Sequence, residues 1–183
     1  MREVENSQAI CARPIVLIGM MGAGKSSLGL RLAEALDLPF LDADAEIEKA
    51  AAMSIAEIFE QHGEATFRDG ERRVIKRLLD TQPIVLALGG GAFMNDETRA
   101  LVQEKALSIW LDVPLDELVR RVKKKPNKRP LLKGQNVEEK LTELMTVRAP
   151  IYRHAHLKVD VGGGTHDAAI ARLVSALEAH YAA

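Results

Sequence analysis

Cysteine is almost missing from this chain: Cys11 is the only one in 183 residues, which excludes an internal disulfide framework and fits a reducing compartment. An excess of charge is missing too. With 25 basic and 26 acidic side chains the net charge is −1, so bulk attraction to a nucleic-acid backbone is excluded and any basic cluster must serve small anionic ligands locally. No apolar run approaches the ~18 residues of a membrane span. The first dozen residues carry Glu3, Glu5 and Asn6 where a leader peptide would hold its apolar segment. These absences predict a cytoplasmic protein with neither a nucleic-acid nor a membrane partner. The five histidines, His62, His154, His156, His166 and His180, lack convergent metal-ligand spacing and an adjacent nucleophile, and most of them read as surface or helix-end residues. There is no internal repeat and no low-complexity tract.

What is present is an ordinary globular balance, 47% apolar and 28% charged, enough for one buried core and therefore for a single domain over 1–183 with a loose N-terminus at about 1–12. Residues Gly19 to Ser26 read Gly-Met-Met-Gly-Ala-Gly-Lys-Ser and follow the apolar run 14–18 directly. This pattern in a strand-to-helix context predicts a phosphate-binding loop. Glycines let backbone N–H groups turn onto phosphate oxygens, and the positive end of the following helix adds to them. Lys25 would neutralise the β- and γ-phosphates and the Ser26 hydroxyl would ligate Mg²⁺, while Ser27 faces the helix surface.

Strand-like runs at 14–18, 38–41, 84–88, 107–111 and 157–161 alternate with helical stripes such as Leu28/Leu32/Leu36, Leu115/Leu118/Val119/Val122 and Ile170/Leu173/Val174/Leu177. The strongest runs are apolar throughout, as strands of a parallel sheet covered on both faces must be. Ser54-Ile55-Ala56-Glu57 has the form of a capping box, and Thr165-His166-Asp167 supplies a cap and an acid for the last helix.

Further candidates stand where strands end, the edge that faces the ligand crevice in such sheets. Asp42 and Asp44 would divide the support of Mg²⁺ and the orientation of an acceptor hydroxyl, unless one of them only caps the next helix. Gly89-Gly90-Gly91 would let a ligand approach bare backbone, or would form a tight turn. Asp112 is suited equally to metal support and to a helix cap. In Lys123-Lys124-Lys125-Pro126-Asn127-Lys128-Arg129-Pro130 the prolines cannot continue a helix. The segment reads as a mobile basic lid, its lysines as a solvated helix end and Arg129 as a group that folds over the phosphates. Arg68 and Arg148 carry guanidiniums suited to bidentate capture of a carboxylate.

Five motifs in order, the phosphate loop, Asp42-Ala43-Asp44, Phe67-Arg68 with Glu71, Gly89-Gly90-Gly91-Ala92, and the pair Arg129-Pro130-Leu131-Leu132 and Arg148-Ala149-Pro150-Ile151-Tyr152, together resemble the shikimate kinase family. The likeness covers nearly the whole chain from about Arg13. It implies a three-layer α/β/α P-loop NTPase fold of the nucleoside-monophosphate-kinase type, with a central five-stranded parallel sheet and a lid at about 122–134. By this resemblance ATP and shikimate are the substrates, and a monomer is the simplest state. ATP would meet Gly22, Ala23, Gly24, Lys25, Ser26, Ser27, Arg121 near adenine, and Arg129. Mg²⁺ would be held by Ser26 and, through water, Asp42. Asp44 would bind and help deprotonate the acceptor hydroxyl, Arg68 and Arg148 would clamp its carboxylate, and Gly89 to Gly91 would line the pocket. Lys25, Asp44 and Arg129 form the implied catalytic set, with Tyr152 and Arg153 supporting the site from behind. Two features depart from the family pattern, a lysine-rich lid and the run Val161-Gly162-Gly163-Gly164 on the adenine side. The rival readings are a gluconate kinase-like or nucleoside monophosphate kinase, which its acceptor would reveal, and a nucleotide switch, which acceptor-free hydrolysis would reveal.

Overall fold

The computed structural model describes residues 12–124 and 136–182; Cys11 and most of the expected lid, with Arg129 and Pro130, lie outside the described residues. The chain runs β1 (Ile15–Ile18), α1 (Lys25–Leu36), β2 (Phe40–Asp42), α2 (Ala43–Ala51), α3 (Ile55–Leu79) and β3 (Val85–Ala87). After a 3₁₀ turn at Ala92–Met94 come α4 (Asp96–Lys105), β4 (Leu107–Asp112), α5 (Leu115–Lys123), α6 (Val137–Tyr152), β5 (Leu157–Asp160) and α7 (His166–Ala182). The strands lie in the order β2-β3-β1-β4-β5 and every neighbouring pair is parallel. All five expected strands are present within a residue or two. Helices flank the sheet, α1 packed with α7, α3 with α4 and α5 with α6.

The reason β1 is Ile-Val-Leu-Ile without a polar position is visible in its burial, since all four side chains are removed from solvent. Strand β1 lies between β3 and β4, so the chain leaves it toward one side of the sheet and later crosses to the other. That reversal opens a crevice beyond the carboxyl ends of the strands, and the loops after β1, β2 and β3 all open into it. The stripes read as core are core: Leu28, Leu32, Leu118, Val119, Val122, Leu173 and Leu177 are buried. Among the described residues no helix is long and apolar enough to cross a membrane.

Helices α2 and α3 pack on a small satellite core of their own, Ile47, Ile58 and Phe67 with Met53, Ile55 and Val74 against it. The capping box at the start of α3 forms as the sequence predicts. Ser54 Oγ accepts from the Glu57 N–H at 3.3 Å, and Glu57 Oε2 accepts from the Ser54 N–H at 2.8 Å. Ser54→Ala is expected to lower unfolding stability by about 1 kcal/mol, measured as the shift in denaturant midpoint; no shift would mean the cap contributes nothing. Helix α3 is broken at Gly63, whose φ of 78° and ψ of 171° only glycine adopts readily. The break turns the Ile55–His62 stretch over the crevice, so residues of both stretches face it.

Candidate functional site

The loop after β1 carries the phosphate motif. Gly22 (φ 86°) and Gly24 (φ 94°) are left-handed, and Gly24 caps α1 directly before Lys25. Lys25 Nζ donates to the carbonyls of Gly19 at 2.9 Å and Met20 at 3.1 Å, which holds the ammonium over the loop. Ser26 Oγ donates to Asp42 Oδ2 at 2.7 Å, while Asp42 Oδ1 accepts from the Asp44 N–H at 3.1 Å. The capping alternative is realised for Asp42, whose Oδ1 caps α2, while its Oδ2 is held by the serine hydroxyl. Ser27 Oγ donates to Gly24 O at 3.1 Å and is exposed at the cleft. Ala23 differs from the expectation of a lining residue. It is fully buried and its N–H is donated to Met20 O at 3.1 Å, so it shapes the loop from beneath.

One cleft of about 930 Å³ joins this loop to the acceptor candidates; its lining includes Lys25, Asp42, Asp44, Arg68, Gly89 to Gly91, Arg121 and Arg148. The three glycines explain their own identity. A Cβ on Gly89 would fall 2.6 Å from Asp44 Oδ1, on Gly90 2.9 Å from Arg148 Nη1, and on Gly91 2.9 Å from Arg68 Nη2. None of the three has a positive φ. Space for three charged side chains, rather than a turn conformation, therefore demands glycine here.

Electrostatics sharpen the pair of roles. Burial pushes the Asp44 carboxyl above the usual carboxylate range, the neighbouring Asp42 adds to the rise, and Lys25 opposes it. Glu71 is buried and accepts from Arg68 Nη1 at 2.7 Å; burial also raises its carboxyl, against the pull of Arg68. Glu71 thereby fixes one edge of the Arg68 guanidinium, while Nη2 faces Gly91 and donates to Glu64 Oε1 at 3.4 Å. Phe59 and Phe67, with ring centroids 4.6 Å apart, form the apolar wall beside Arg68. Tyr152 is fully buried behind Gly90, donating to its carbonyl at 2.6 Å.

On the opposite side of the cleft Arg121 donates through Nη1 to Gly22 O and Ala23 O, each at 3.3 Å, and through Nη2 to Glu117 Oε1 at 2.6 Å. Glu117 Oε2 accepts from the Gly163 N–H at 2.8 Å, and Arg172 Nη2 donates to Gly162 O and Gly163 O at 3.1 and 3.0 Å. The glycine run that departs from the family pattern is thus held by its backbone. Burial would raise the Glu117 carboxyl, but the Gly163 N–H and the Arg121 and Arg120 guanidiniums outweigh it and hold it below the usual range.

One further expectation needs correction. Asp112 neither caps α5 nor lines the cleft; its carboxylate pairs with Lys158 at 3.0 Å, and Pro114 occupies the cap position. His156 is exposed, as expected of a surface histidine, and its Nδ1 also accepts from the N–H of buried Ser108 at 3.1 Å at the far end of the sheet. Lys123 and Lys124 close α5 as a helix end, as expected. Phe59 and Glu117 are cleft residues that the sequence reading did not pick out. Phe59 lies across the Gly63 break from Phe67, which hides their pairing, whereas Glu117 and Arg121 at i,i+4 were a readable signal.

Ser26 and Asp42 offer a hydroxyl and a carboxylate, the hard oxygen donors that suit Mg²⁺, which needs only one or two protein oxygens beside substrate phosphates and water. A phosphate loop, an acid and two arginines in one cleft define a phosphate-loop kinase acting on a small anionic acceptor. Comparison with known proteins agrees. A family model described as shikimate kinase matches residues 21–178. A shikimate kinase of Caulobacter vibrioides is 55% identical over 92% of this chain and 84% of its own length. One of Bradyrhizobium diazoefficiens is 52% identical over 97% and 86%. The solved shikimate kinase of Acinetobacter baumannii in complex with shikimate superposes with a TM-score of 0.87 at 35% identity, over 95% of this chain and 98% of that one. The chain belongs to the shikimate kinase family.

Proposed function

We propose that this protein transfers the γ-phosphoryl group of ATP to the 3-hydroxyl of shikimate, giving shikimate 3-phosphate and ADP on the route to chorismate and the aromatic amino acids. The observation that carries this reading is the glycine triplet, each member of which makes room for one of Asp44, Arg148 and Arg68 in the same cleft as the phosphate loop. Two guanidiniums suit the bidentate capture of a carboxylate, and an acid between them and the phosphates suits a hydroxyl on the same small molecule. A nucleobase would need neither.

In this reading the hydroxyl oxygen forms its bond to the γ-phosphorus as the bond from phosphorus to the β,γ-bridging oxygen breaks, and Asp44 takes the hydroxyl proton. Its raised pKa brings the carboxylate closer to the operating pH, where a proton acceptor works best. Lys25, drawn off the Gly19 and Met20 carbonyls, meets the β- and γ-phosphates, and Arg129 arrives with the lid. Ser26 and Asp42 would hold Mg²⁺, which supplies charge neutralisation at the phosphates. Arg121 and the Gly162–Gly163 backbone face the base. A single domain over 1–183, a monomeric state and a cytoplasmic location complete the proposal.

The test is ADP release from Mg-ATP by the purified protein, with shikimate, gluconate or nucleoside monophosphates as acceptor. Turnover is expected with shikimate alone; turnover only with another acceptor would overturn the substrate assignment, and hydrolysis indifferent to acceptor would favour a nucleotide switch.

A further inference from the structure

Glu117 stands in the first turn of α5 with its side chain only 11% exposed, and three separate segments of the chain meet at its carboxylate. Oε1 accepts from Arg121 Nε at 3.0 Å and from Arg121 Nη2 at 2.6 Å. Oε2 accepts from the Gly163 N–H at 2.8 Å, in the turn between β5 and α7. Arg121 reaches on to the phosphate loop, its Nη1 donating to Gly22 O and Ala23 O. An ordinary i,i+4 ion pair on a helix surface needs neither the turn nor the loop. Guanidinium N–H groups lie in the plane of the group, so these bonds fix that plane and use neither face. A planar cation fixed in this way can carry an aromatic ring on its face. Glu117 and Arg121 line the cleft together with Val161 and Gly164, the two ends of the glycine run. That run is packed hard against the start of α5: a Cβ on Gly162 would fall 2.5 Å from Pro114 Cδ and 3.1 Å from Glu117 Oε2.

We infer that Glu117 is a positioning residue for the phosphoryl donor, holding the Arg121 plane and the Gly163 turn in register as two walls of the subsite for the nucleotide base. The inference deepens the kinase reading above and rests on its nucleotide half. The chemistry requires a carboxylate at this position, because the groups on both sides of Glu117 are donors and an ionised carboxylate is acceptor-only. A glutamine of the same shape has one acceptor oxygen and must turn its NH₂ toward either Arg121 or the Gly163 N–H, donor against donor. One wall then moves while the phosphate loop keeps its glycines, Lys25 and Ser26. Glu117 thus acts on the nucleoside part of the donor and leaves the triphosphate part to the loop.

The probes are a non-hydrolysable ATP analogue and inorganic tripolyphosphate, both with Mg²⁺, which share three phosphates and differ by the nucleoside. By calorimetry without acceptor, Glu117→Gln is expected to raise the Kd of the analogue about 10-fold, the effect of losing a hydrogen bond to a charged group, and that of tripolyphosphate less than about 2-fold. The KM for ATP should rise alike while the KM for shikimate stays close to wild type. In an Arg121→Met background the same Glu117→Gln change should cost less than about 3-fold, because residues that act through one another are not additive. Gly162→Ala pushes the turn away without altering either charge and should show the same selective loss, with thermal melts checking that each variant is folded. Equal losses for both probes, no loss for either, additive effects of Glu117→Gln and Arg121→Met, or a KM for shikimate that rises as much as that for ATP would overturn the inference. A wild type that binds the analogue no tighter than tripolyphosphate would overturn it too. A protein that shows the selective loss but does not phosphorylate shikimate would defeat the acceptor assignment alone.

Discussion

Asp44→Asn should lose about 10²–10⁴-fold in phosphoryl transfer, the usual contribution of a positioned general base, and should at the same time melt at a higher temperature. Both effects come from one cause. Burial and the nearby Asp42 raise the Asp44 carboxyl in the folded state, with Lys25 only partly offsetting them. A carboxyl whose folded pKa lies above its unfolded one contributes stability below the unfolded value and loses it as pH rises through the folded value. At neutral pH the ionised Asp44 is therefore a strain on the fold, and the neutral amide relieves it. The gain in melting temperature should be present at pH 7 and fade on acidification, each kcal/mol being worth about 2–4 °C in a chain of this size. In the wild type, kcat/KM should fall on the acid side at a higher pH than an unperturbed aspartate would give. Melting curves and rates of wild type and variant from pH 4 to 8 check both. An Asn variant that turns over normally would remove Asp44 from the chemistry, and one that is destabilised at neutral pH would show that its carboxylate is structurally needed.

The local signals in the sequence carried the furthest. The phosphate loop was legible because its chemistry lies within eight consecutive residues, and the strand β1 that precedes it is apolar at every position. The Ser54 capping box was legible for the same reason. Asp42 shows where local reading reaches its limit. Capping α2 is a bond two residues along the chain, but the bond to Ser26 spans sixteen, and only the pairing order β2-β3-β1 brings the end of β2 near the start of α1. Glu117 holding the Gly163 N–H and Tyr152 holding Gly90 O are further apart still in sequence. Composition and spacing cannot encode such contacts. They follow from which loops the sheet order gathers at one edge, and that order depends on how the apolar strands share the core. Asp112 misled for the converse reason: a strand-terminal acid looks the same whether it faces the phosphates or, as here, a lysine on the edge strand β5.

Gly89→Ala is the substitution expected to separate the site from the fold most cleanly. The added Cβ would stand 2.6 Å from Asp44 Oδ1, closer than a real Cβ comes to any non-bonded heavy atom, so something must move. What it meets is the tip of a side chain and no backbone atom, so Asp44 swings aside while β3 and the loop after it stay where they are. A misplacement of about 1 Å at a reacting group costs roughly 10²-fold in rate. Gly89→Ala should therefore lower kcat by about that much while leaving ATP affinity and the melting temperature close to wild type. Gly91→Ala meets Arg68 Nη2 instead, at 2.9 Å, and displaces a group that holds the substrate without accepting its proton. Its effect should fall on the KM for shikimate, with kcat reduced less. Gly19→Ala provides the contrast: its φ of 149° is unfavourable for a side chain, and its Cβ would press on the backbone carbonyl of Leu111 at 2.9 Å, so stability is lost along with activity. Steady-state kinetics and thermal melts of the three variants would tell these outcomes apart. If Gly89→Ala and Gly91→Ala both unfold the protein, the triplet serves the chain's own packing. If they change neither kcat nor KM, the charged groups beside it do not act on the substrate.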